Sequence, residues 1–505
     1  MGYDSAVIGG TMALDSFVRD FKTGEMAQSA RDNAQANIVS AFQAGSFFGA
    51  LFTFPFAEKY GRKKCIMAGA FIFIIGATLM TAADGKLSMI IAGRAIGGLG
   101  IGCATMAVPV YVAETSPPSI RGRLVGIFEI FSQGGGMLGF WINYAVDQTI
   151  SSETKTQWII PLALQLLPAV LLLIGMIFCP ESPRYLAKKH DFVGCEKILT
   201  KIRNLPSEHP YIQNETREIR LQVEERSAKG GFVEQLKKLW TVGTRNRILT
   251  GTFIMYLQSF TGVNVMTYYS PRIFETLGLT GTSVKLFSTG IYGVIKMSGM
   301  VLFAVWVVEH VGRRRGLLWG SALGSLPLFY VGAYVKIADP AKNAIDGNLQ
   351  QTGWAYFAMV CIYFNAFVIC ATWQGTTWAY SSEIFPIDVR MVSVSLCTAS
   401  TWLGSFTVSQ ATPHMVTDLG YGTFFMFGSF VVLMGIWAFF AIPETKGLTL
   451  EQMDELFSRS TSKTKWNRLL RKPPPPPFAV VAATLPREDS LSKDMAVTHD
   501  EEKGV

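Results

Sequence analysis

The feature that most constrains this chain is a series of apolar stretches, each long enough to cross a lipid bilayer. The hydrocarbon core of a bilayer is about 30 Å thick, so a spanning helix needs about 20 predominantly apolar residues. Eleven stretches meet this requirement, at 37–57, 65–84, 88–113, 122–146, 157–179, 248–274, 286–308, 316–336, 354–381, 391–413 and 420–442. The sequence therefore predicts an all-α, multi-pass integral membrane protein surrounded by lipid.

The composition agrees with this prediction. Hydrophobic residues make up 49% of the chain and charged residues 16%, whereas about a quarter of the residues of a soluble domain are charged. The net charge of +8 belongs to the loops between spans, so it does not indicate nucleic-acid binding. The seven cysteines and five histidines form no CxxC or HExxH pattern. We therefore expect no metal site, no cofactor and no enzymatic activity.

Hydrophilic segments divide the spans into two sets. Before the first set, residues 1–14 have the polarity of the end of a membrane helix but are too few to cross the bilayer, so we expect a truncated first helix. The predicted units are an N-terminal transmembrane bundle at 1–179, a linker of short helices at 180–246, a C-terminal transmembrane bundle at 247–442 and a largely disordered tail at 443–505.

Basic residues predict the orientation of the chain in the membrane. If the spans alternate in direction, Arg62, Arg121, Arg313 and the charges of 180–246 all lie on one side. Cytoplasmic loops of membrane proteins carry an excess of lysine and arginine. We therefore expect the 180–246 linker and the C-terminal tail to be cytoplasmic, in a protein of the plasma membrane.

The stretch Ile254–Tyr269 is too polar for a helix that only crosses the membrane. Within it, Gln258, Thr261 and Asn264 recur at roughly helical spacing, so their side chains can face one cavity. Polar side chains within a bilayer usually face a bundle interior or a water-filled path. We interpret the cluster as part of a binding site. The alternative is that these side chains only hydrogen-bond to neighbouring helices.

Lys296 lies near the middle of the 286–308 span, one turn after Tyr292. An unpaired lysine there costs about 2.5–3.5 kcal/mol on insertion scales, so its presence calls for an explanation. A cation in a central cavity suits a substrate that carries a carboxylate. The alternatives are an ion pair with a buried acid and a deprotonated lysine.

Three motifs recur in the same order in the two halves of the chain. Gly61–Lys64 corresponds to Gly312–Arg315, Glu114 with Arg121 corresponds to Glu383 with Arg390, and the motif at Pro180 corresponds to that at Pro443. A parallel duplication of one six-helix unit explains this order.

Charged residues at the helix ends on the basic side are candidates for a gate. They are Glu58, Arg62, Glu114, Arg121, Glu181, Arg184, Glu309, Arg313, Glu383, Arg390 and Glu444. Opposite charges on the two halves can form ion pairs that close one end of a central path. A solvated surface is the alternative for any single pair, since exposed pairs contribute only about 0–1 kcal/mol.

Eight ordered motifs resemble those of the sugar porter branch of the major facilitator superfamily. They are EKYGRKK at 58–64, GRAIGGLGIG at 93–102, ETSPPSIRGRL at 114–124, PESPRYL at 180–186, QSFTGVN at 258–264, EHVGRRRG at 309–316, SEIFPIDVR at 382–390 and PETKGLTLEQ at 443–452. The segments GYDSAVIGG, FWINY and NVMTYYSPRIF are most similar to fungal quinate permeases and related monosaccharide or sugar-acid proton symporters. The resemblance covers the chain except for its tail.

The resemblance implies a major facilitator fold of two six-helix bundles with a site between them. It implies a secondary active transporter that moves a sugar, a sugar acid or quinate by alternating access, together with a proton. The alternatives are a nutrient sensor and a facilitative hexose uniporter on the same fold. The expected partners are a small polyol, sugar or sugar-acid substrate, a proton and membrane lipid.

The resemblance also assigns roles to residues. The substrate-binding candidates are Gln133, Gln258, Ser259, Asn264, Tyr268, Lys296, Gln374 and Trp378. Asp4 and Arg94 correspond to a proton-coupling pair, and a carboxylate within a span is costly unless it is paired or protonated. A helix cap is the alternative role for Asp4.

Four positions depart from the pattern of hexose carriers. Gly136 stands where the fifth span usually has a glutamine, with Gln133 one turn earlier, and Ser259 replaces the second glutamine of a pair. The motif from Gln374 to Trp378 lacks its usual proline, and Lys296 replaces an asparagine. These departures argue against ordinary hexose recognition.

Overall fold

The computed structural model describes residues 1–117, 121–228, 239–340, 353–385, 389–446 and 457. Within these ranges every regular element is a helix. The membrane-length helices form two bundles that pack side by side, with a group of short helices between them in the sequence. We call the membrane end that carries Arg62 and Arg313 the basic end, and the other the opposite end.

The first bundle occupies residues 2–178. Its helices are α1 (Gly2–Thr11), α2 (Asp15–Asp20), α3 (Gln28–Tyr60), α4 (Arg62–Thr81), α5 (Leu87–Thr115), α6 (Arg121–Thr149), α7 (Thr156–Leu164) and α8 (Leu166–Phe178). Helices α7 and α8 together form one span, which is interrupted at Gln165.

Three short helices follow the first bundle at the basic end. They are α9 (Pro183–Lys188), α10 (Phe192–Arg203) and α11 (Pro210–Ala228). The side chains of Ser182 and Asp191 cap α9 and α10 by accepting hydrogen bonds from backbone N–H groups. The three helices share a small apolar core that includes Cys195. Burial raises the pKa of the Cys195 thiol to about 11, which keeps it protonated at neutral pH.

The second bundle occupies residues 242–441. Its helices are α12 (Val242–Leu257), α13 (Val263–Thr276), α14 (Thr282–Leu302), α15 (Val308–His310), α16 (Arg313–Ala338), α17 (Gly353–Ile369), α18 (Gly375–Glu383), α19 (Arg390–Leu419) and α20 (Gly422–Ala441). A 3₁₀ turn joins α12 to α13, whereas π-helical turns join α14 to α15 and α17 to α18.

Nine helices in the described ranges are long and apolar enough to cross a membrane. They correspond to nine of the eleven predicted spans. The two remaining predicted spans, 122–146 and 248–274, correspond to α6 and to the broken pair α12–α13. Helix α6 carries buried polar residues, and the break divides the other span into two short helices. These two segments are therefore the places where the chain departs from a plain apolar helix.

Small residues bring α3 and α5 into close contact. A Cβ atom at Gly98 would lie 2.2 Å from the carbonyl oxygen of Phe42, and one at Gly102 would lie 2.2 Å from that of Ser46. Lipid tails are as apolar as leucine side chains, so membrane helices associate through such close packing. The glycines of the 93–102 motif thus hold α5 against α3 and carry Arg94 into the bundle interior.

The most extensive contacts between the two bundles join α1 with α13, α3 with α19, and α6 with α14. A Cβ atom at Gly9 would lie 2.4 Å from the carbonyl oxygen of Tyr268, so α1 and α13 are in backbone contact. On α3 and α19, the rings of Phe42 and Trp402 meet edge to face with centroids 5.9 Å apart. These contacts place the polar stretch of α13 at the surface between the bundles.

Candidate functional site

Gly262 breaks the helix that carries the polar stretch. Its φ of 85° lies in the left-handed region, which glycine adopts without a steric penalty. The 3₁₀ turn Gln258–Thr261 precedes it, and α13 begins at Val263. Within a membrane, irregular backbone is tolerated only where it is buried in protein or lines a cavity. The break therefore fits a helix that contributes to an interior site.

The amide side chains beside the break are bound to other helices of the second bundle. The Thr377 hydroxyl donates a 2.7 Å hydrogen bond to Oε1 of Gln258. Nδ2 of Asn264 donates to the Ser405 hydroxyl at 3.3 Å, and the Ser259 hydroxyl lies 3.3 Å from the same oxygen. The structure thus brings Gln258, Ser259 and Asn264 together and orients them through α18 and α19.

Gln374 lies one residue before the start of α18, and Trp378 lies within this helix, directly after Thr377. Both side chains are partly exposed. Because Thr377 contacts Gln258, these two predicted residues approach the broken helix from α18. Trp378 also packs against the apolar cluster that includes Val263, the first residue of α13.

Tyr268 connects the broken helix to the first bundle. It is buried, and its hydroxyl lies near Ser5 of α1, Gln43 of α3 and Ser405 of α19. Gln43 is fully buried, and neither polar atom of its side-chain amide has a partner among the described residues. Gln43 was not among the predicted site residues. A lone amide inside the 37–57 apolar span is the sequence signal that could have identified it.

Lys296 reaches the broken helix from α14. Its Nζ donates a 3.0 Å hydrogen bond to the hydroxyl of Thr267 on α13. One turn earlier, the Tyr292 hydroxyl donates to the carbonyl oxygen of Val263 at 3.2 Å. The lysine side chain is partly accessible, whereas Tyr292 is fully buried. The predicted cation therefore faces the polar part of α13.

Helix α6 of the first bundle presents two polar side chains one turn apart. Gln133, a predicted site residue, is 9% exposed, and Glu129 is 5% exposed. Residues four apart lie on the same face of a helix. Helix α6 packs against α14, and Ile130, the neighbour of Glu129, packs against the apolar cluster that includes Met300, one turn after Lys296. Glu129 was not among the predicted site residues. It is the single acidic residue inside the 122–146 span, and this feature of the sequence could have identified it.

The predicted proton-coupling residues Asp4 and Arg94 are both buried and in contact. Nη1 of Arg94 donates a 2.9 Å hydrogen bond to the backbone carbonyl of Asp4, and its guanidinium lies 4.2 Å above the ring of Phe42. The Asp4 carboxylate lies 2.7 Å from the amino group of Met1. In the described ranges, Oδ1 of Asp4 and Nη2 of Arg94 have no partner. The contact thus runs through the main chain of Asp4.

The charges at the basic end of the first bundle form one network. Nε and Nη2 of Arg62 each lie 3.0 Å from a carboxylate oxygen of Glu114. Oε1 of Glu181 accepts hydrogen bonds from the backbone N–H groups of Arg62 and Lys63, at 3.0 and 3.1 Å. These N–H groups begin α4, where a carboxylate is favoured by the helix dipole.

The second bundle repeats this arrangement. Nη2 of Arg313 lies 2.6 Å from Glu383, and Glu444 accepts hydrogen bonds from the backbone N–H groups of Arg313 and Arg314, at 2.9 and 3.2 Å. Gly61 and Gly312 precede the two helices with φ of 99° and 88°. The two halves therefore share a structural motif, as the duplication in sequence predicts.

The ion pairs observed among the predicted gate residues lie within one half of the molecule. Arg62 pairs with Glu114, Glu58 with Lys188 of α9, and Arg313 with Glu383. We expected pairs between the halves; the pairs recorded in the described part of the chain instead join helices of the same half.

The remaining gate candidates differ in what the structure shows. The Arg390 guanidinium donates to the backbone carbonyl of Phe385, and Arg184 lies on α9. The side chains of Arg121 and Glu309 lie outside the described residues. The gating role of these charges stays a prediction.

At the opposite end, polar contacts join the two bundles. Nη2 of Arg272 lies 2.8 Å from Oδ1 of Asp32, and the Thr417 hydroxyl donates to Oδ2 of Asp32 at 2.7 Å. Nearby, the Ser40 hydroxyl donates to Oε1 of Gln410 at 2.6 Å. Asp32 is buried, so this network excludes water between α3, α13 and α19. The opposite end of the interface between the bundles is closed.

Comparison with known proteins agrees with this architecture. The model of the family described as sugar (and other) transporters matches residues 1–457. A probable quinate permease of Aspergillus clavatus is 42% identical over 497 residues, which cover 97% of this chain and 88% of that protein. The quinate permease of Emericella nidulans is 40% identical over 477 residues, which cover 94% of this chain and 88% of that protein.

Among solved structures, the proton:xylose symporter XylE of E. coli, bound to 6-bromo-6-deoxy-D-glucose, is similar with a TM-score of 0.73. The two chains are 26% identical, and the match covers 90% of this chain and 96% of XylE. The predicted all-α membrane fold is thus confirmed. These relatives are transporters and permeases rather than enzymes, and the chain belongs to the sugar transporter family of the major facilitator superfamily.

Proposed function

We propose that this transporter moves quinate or a sugar acid across the plasma membrane together with a proton. The observation that carries the proposal is the position of Lys296, which bonds to Thr267 on the broken helix between the bundles. An ammonium group within a membrane protein marks a functional position by default, because it is costly to place there. The names of the curated relatives, quinate permeases, agree with a substrate that carries a carboxylate.

The other predicted site residues suit the hydroxyl groups of such a substrate. Gln258 and Asn264 each offer an amide donor and acceptor, and the Tyr268 hydroxyl can act as either. Trp378 offers an aromatic face for the apolar side of a ring. A cation for the carboxylate and amides for the hydroxyls together match a polyhydroxy acid better than a neutral hexose.

Alternating access explains why the site lies between the bundles. The contact between Asp32 and Arg272 closes the opposite end in this state. By the distribution of positive charge, we assign the basic end to the cytoplasm. Rocking of the bundles would then open the opposite end to the outside.

Proton coupling is assigned to Asp4 and Arg94. Oδ1 of Asp4 and Nη2 of Arg94, which have no hydrogen-bond partner among the described residues, would gain an ion pair in a state in which the two side chains meet directly. Protonation of Asp4 would remove that attraction and so favour one state of the transporter over the other.

The test is uptake of labelled quinate, galacturonate and glucose into cells that lack their own carriers. For K296N we expect acid uptake to fall by the equivalent of about 2–5 kcal/mol in binding, because the substrate anion loses its partner. For D4N we expect exchange and downhill flux to persist while accumulation against a gradient is lost.

Surface abundance of each variant is measured in parallel. An unchanged ratio of acid to hexose uptake in K296N contradicts the substrate assignment. Hexose uptake without pH dependence in the wild type indicates a facilitative hexose carrier instead. Accumulation by D4N equal to that of the wild type contradicts the proton-coupling assignment.

A further inference from the structure

Glu129 is a buried acid for which the proposed function above has no role. Its side chain lies on α6 within the predicted 122–146 span, and it is 5% exposed. Its Oε1 has no hydrogen-bond partner in the described part of the chain. An isolated carboxylate at such a place is costly, so it must be balanced by a cation or carry a proton.

The cation next to Glu129 is Lys296. The two residues come from different bundles, Glu129 from α6 and Lys296 from α14, and these helices pack against each other. Residues beside them meet across this interface: Ile130 packs against the apolar cluster that includes Met300, and a Cβ atom at Gly134 would lie 3.9 Å from the side chain of Met297. The other titratable groups around them are Cys370, in the π-helical turn after α17, and Tyr292, one turn before the lysine. Neither of these two carries charge at neutral pH without a large perturbation. Among the described residues, Glu129 is therefore the acid of α6 that lies beside the part of α14 that carries Lys296, although no ion pair between the two side chains is recorded.

The ammonium group of Lys296 can donate only a limited number of hydrogen bonds. An ammonium group has three donors, and one is used by the hydroxyl of Thr267 at 3.0 Å. A substrate carboxylate that binds Lys296 would bring a second negative charge beside Glu129. Two carboxylates that share one site cannot both stay ionised without a strong mutual penalty.

We infer that Glu129 and the substrate carboxylate compete for Lys296, and that Glu129 takes up a proton when the substrate binds. This inference rests on the proposed function, because it requires a substrate with a carboxylate. In the empty site the lysine ammonium is balanced by the Glu129 carboxylate. In the loaded site it is balanced by the substrate carboxylate, and Glu129 is neutral. One anion and one proton therefore enter together, and the net charge between the bundles is unchanged.

Calorimetric titration of purified full-length protein with quinate, in buffers of different ionisation enthalpy, measures the protons taken up on binding. Above the pH at which Glu129 titrates in the wild type, one proton should be taken up at this site and affinity should fall by about tenfold per pH unit. For E129Q, a permanently neutral side chain of the same shape, we expect one fewer proton and a correspondingly smaller pH dependence. At high pH, E129Q should bind quinate more tightly than the wild type.

Two controls separate this proton from others. E153Q removes a carboxylate that is 86% exposed in a loop, and it should leave proton uptake unchanged. Comparison of D4N with the double variant D4N/E129Q shows whether Glu129 accounts for a proton independently of Asp4. Proton uptake and pH dependence in E129Q equal to those of the wild type would overturn the inference.

A double-mutant cycle keeps the test informative if E129Q folds poorly. The melting temperatures of the wild type, E129Q, K296M and E129Q/K296M are compared without substrate. Coupling is expected, with the double variant more stable than the sum of the single effects predicts. Additive effects would show that the two charges are not partners and would overturn the inference. If the wild type binds no carboxylate at all, the proposed substrate class fails, whatever the cycle shows.

Discussion

At the scale of single residues, the buried side chains that keep polar atoms without partners in the described ranges include Asp4, Gln43, Arg94 and Glu129. An unpaired buried polar atom costs about 1–3 kcal/mol, so such atoms are rare where nothing binds them. All four lie on helices of the first bundle. Each of them thus has hydrogen-bonding capacity left for a proton, water or substrate.

Gln43 permits a sharp prediction at this scale. For Q43L we expect the KM for the transported acid to rise about tenfold, the equivalent of one hydrogen bond of about 1.4 kcal/mol. We expect the melting temperature to stay the same or rise, because leucine removes an amide whose polar atoms have no hydrogen-bond partner among the described residues. Uptake kinetics and thermal unfolding of the purified protein measure the two effects.

Gln165 provides the matched control for Q43L. It is an equally buried glutamine whose amide also has no partner among the described residues, at the junction of α7 and α8. Q165L should therefore behave like Q43L in stability but leave the KM unchanged. Equal KM values for Q43L and the wild type would exclude Gln43 from the substrate site.

At the scale of elements, the two bundles use the same device to begin α4 and α16. An arginine at the start of the helix pairs with a glutamate of a neighbouring helix, and a second glutamate caps the N-terminal N–H groups. The glycine before each helix has positive φ and lets the chain turn into it. The repeated motifs are therefore explained by local architecture before any role in gating is considered.

The degree of burial predicts that replacing the arginine lowers the free energy of unfolding by different amounts in the two bundles. In the first, Arg62 and Glu114 are 5% and 12% exposed, whereas in the second Arg313 and Glu383 are 16% and 30% exposed. R62L leaves a buried carboxylate unpaired and should lower the free energy of unfolding by about 3–5 kcal/mol. R313L should cost less, because its partner is better solvated.

The double variant R62L/E114L is the control for this prediction. It removes both charges and should recover most of the lost stability, measured as thermal unfolding in detergent. A double variant no more stable than R62L would show that the cost does not come from the unpaired glutamate.

At the scale of the whole molecule, the contacts of Arg272 with Asp32 and Thr417 hold the bundles together at the opposite end. Each change of about 1.4 kcal/mol in the relative free energies of two states changes their ratio tenfold. For R272Q we expect the state that is open at the opposite end to become about tenfold more populated. A cysteine introduced by S40C, at a position that is buried here, should then react faster with a membrane-impermeant thiol reagent.

The pair of Lys155 and Asp84 is a matched control at the same end. It is solvent-exposed and joins two loops of the first bundle, so K155Q should not change the reactivity of the introduced cysteine. Reactivity unchanged by R272Q would mean that the network does not hold this end closed.

The sequence by itself determined the features that depend on local composition. The spans follow from runs of apolar residues, and the duplication follows from motifs in the same order. These predictions need no knowledge of what each helix packs against, because helix length and lipid solvation are properties of a single segment.

Only the tertiary structure decided the partners of the charged and polar residues. Glu129 and Lys296 are far apart in the sequence and lie at the same interface only because α6 docks against α14. Likewise, Arg62 and Arg313 each pair within their own half, since Glu114 and Glu383 come from helices that pack beside them. An ion pair depends on distances of a few ångströms between side chains, and the docking of whole helices sets those distances.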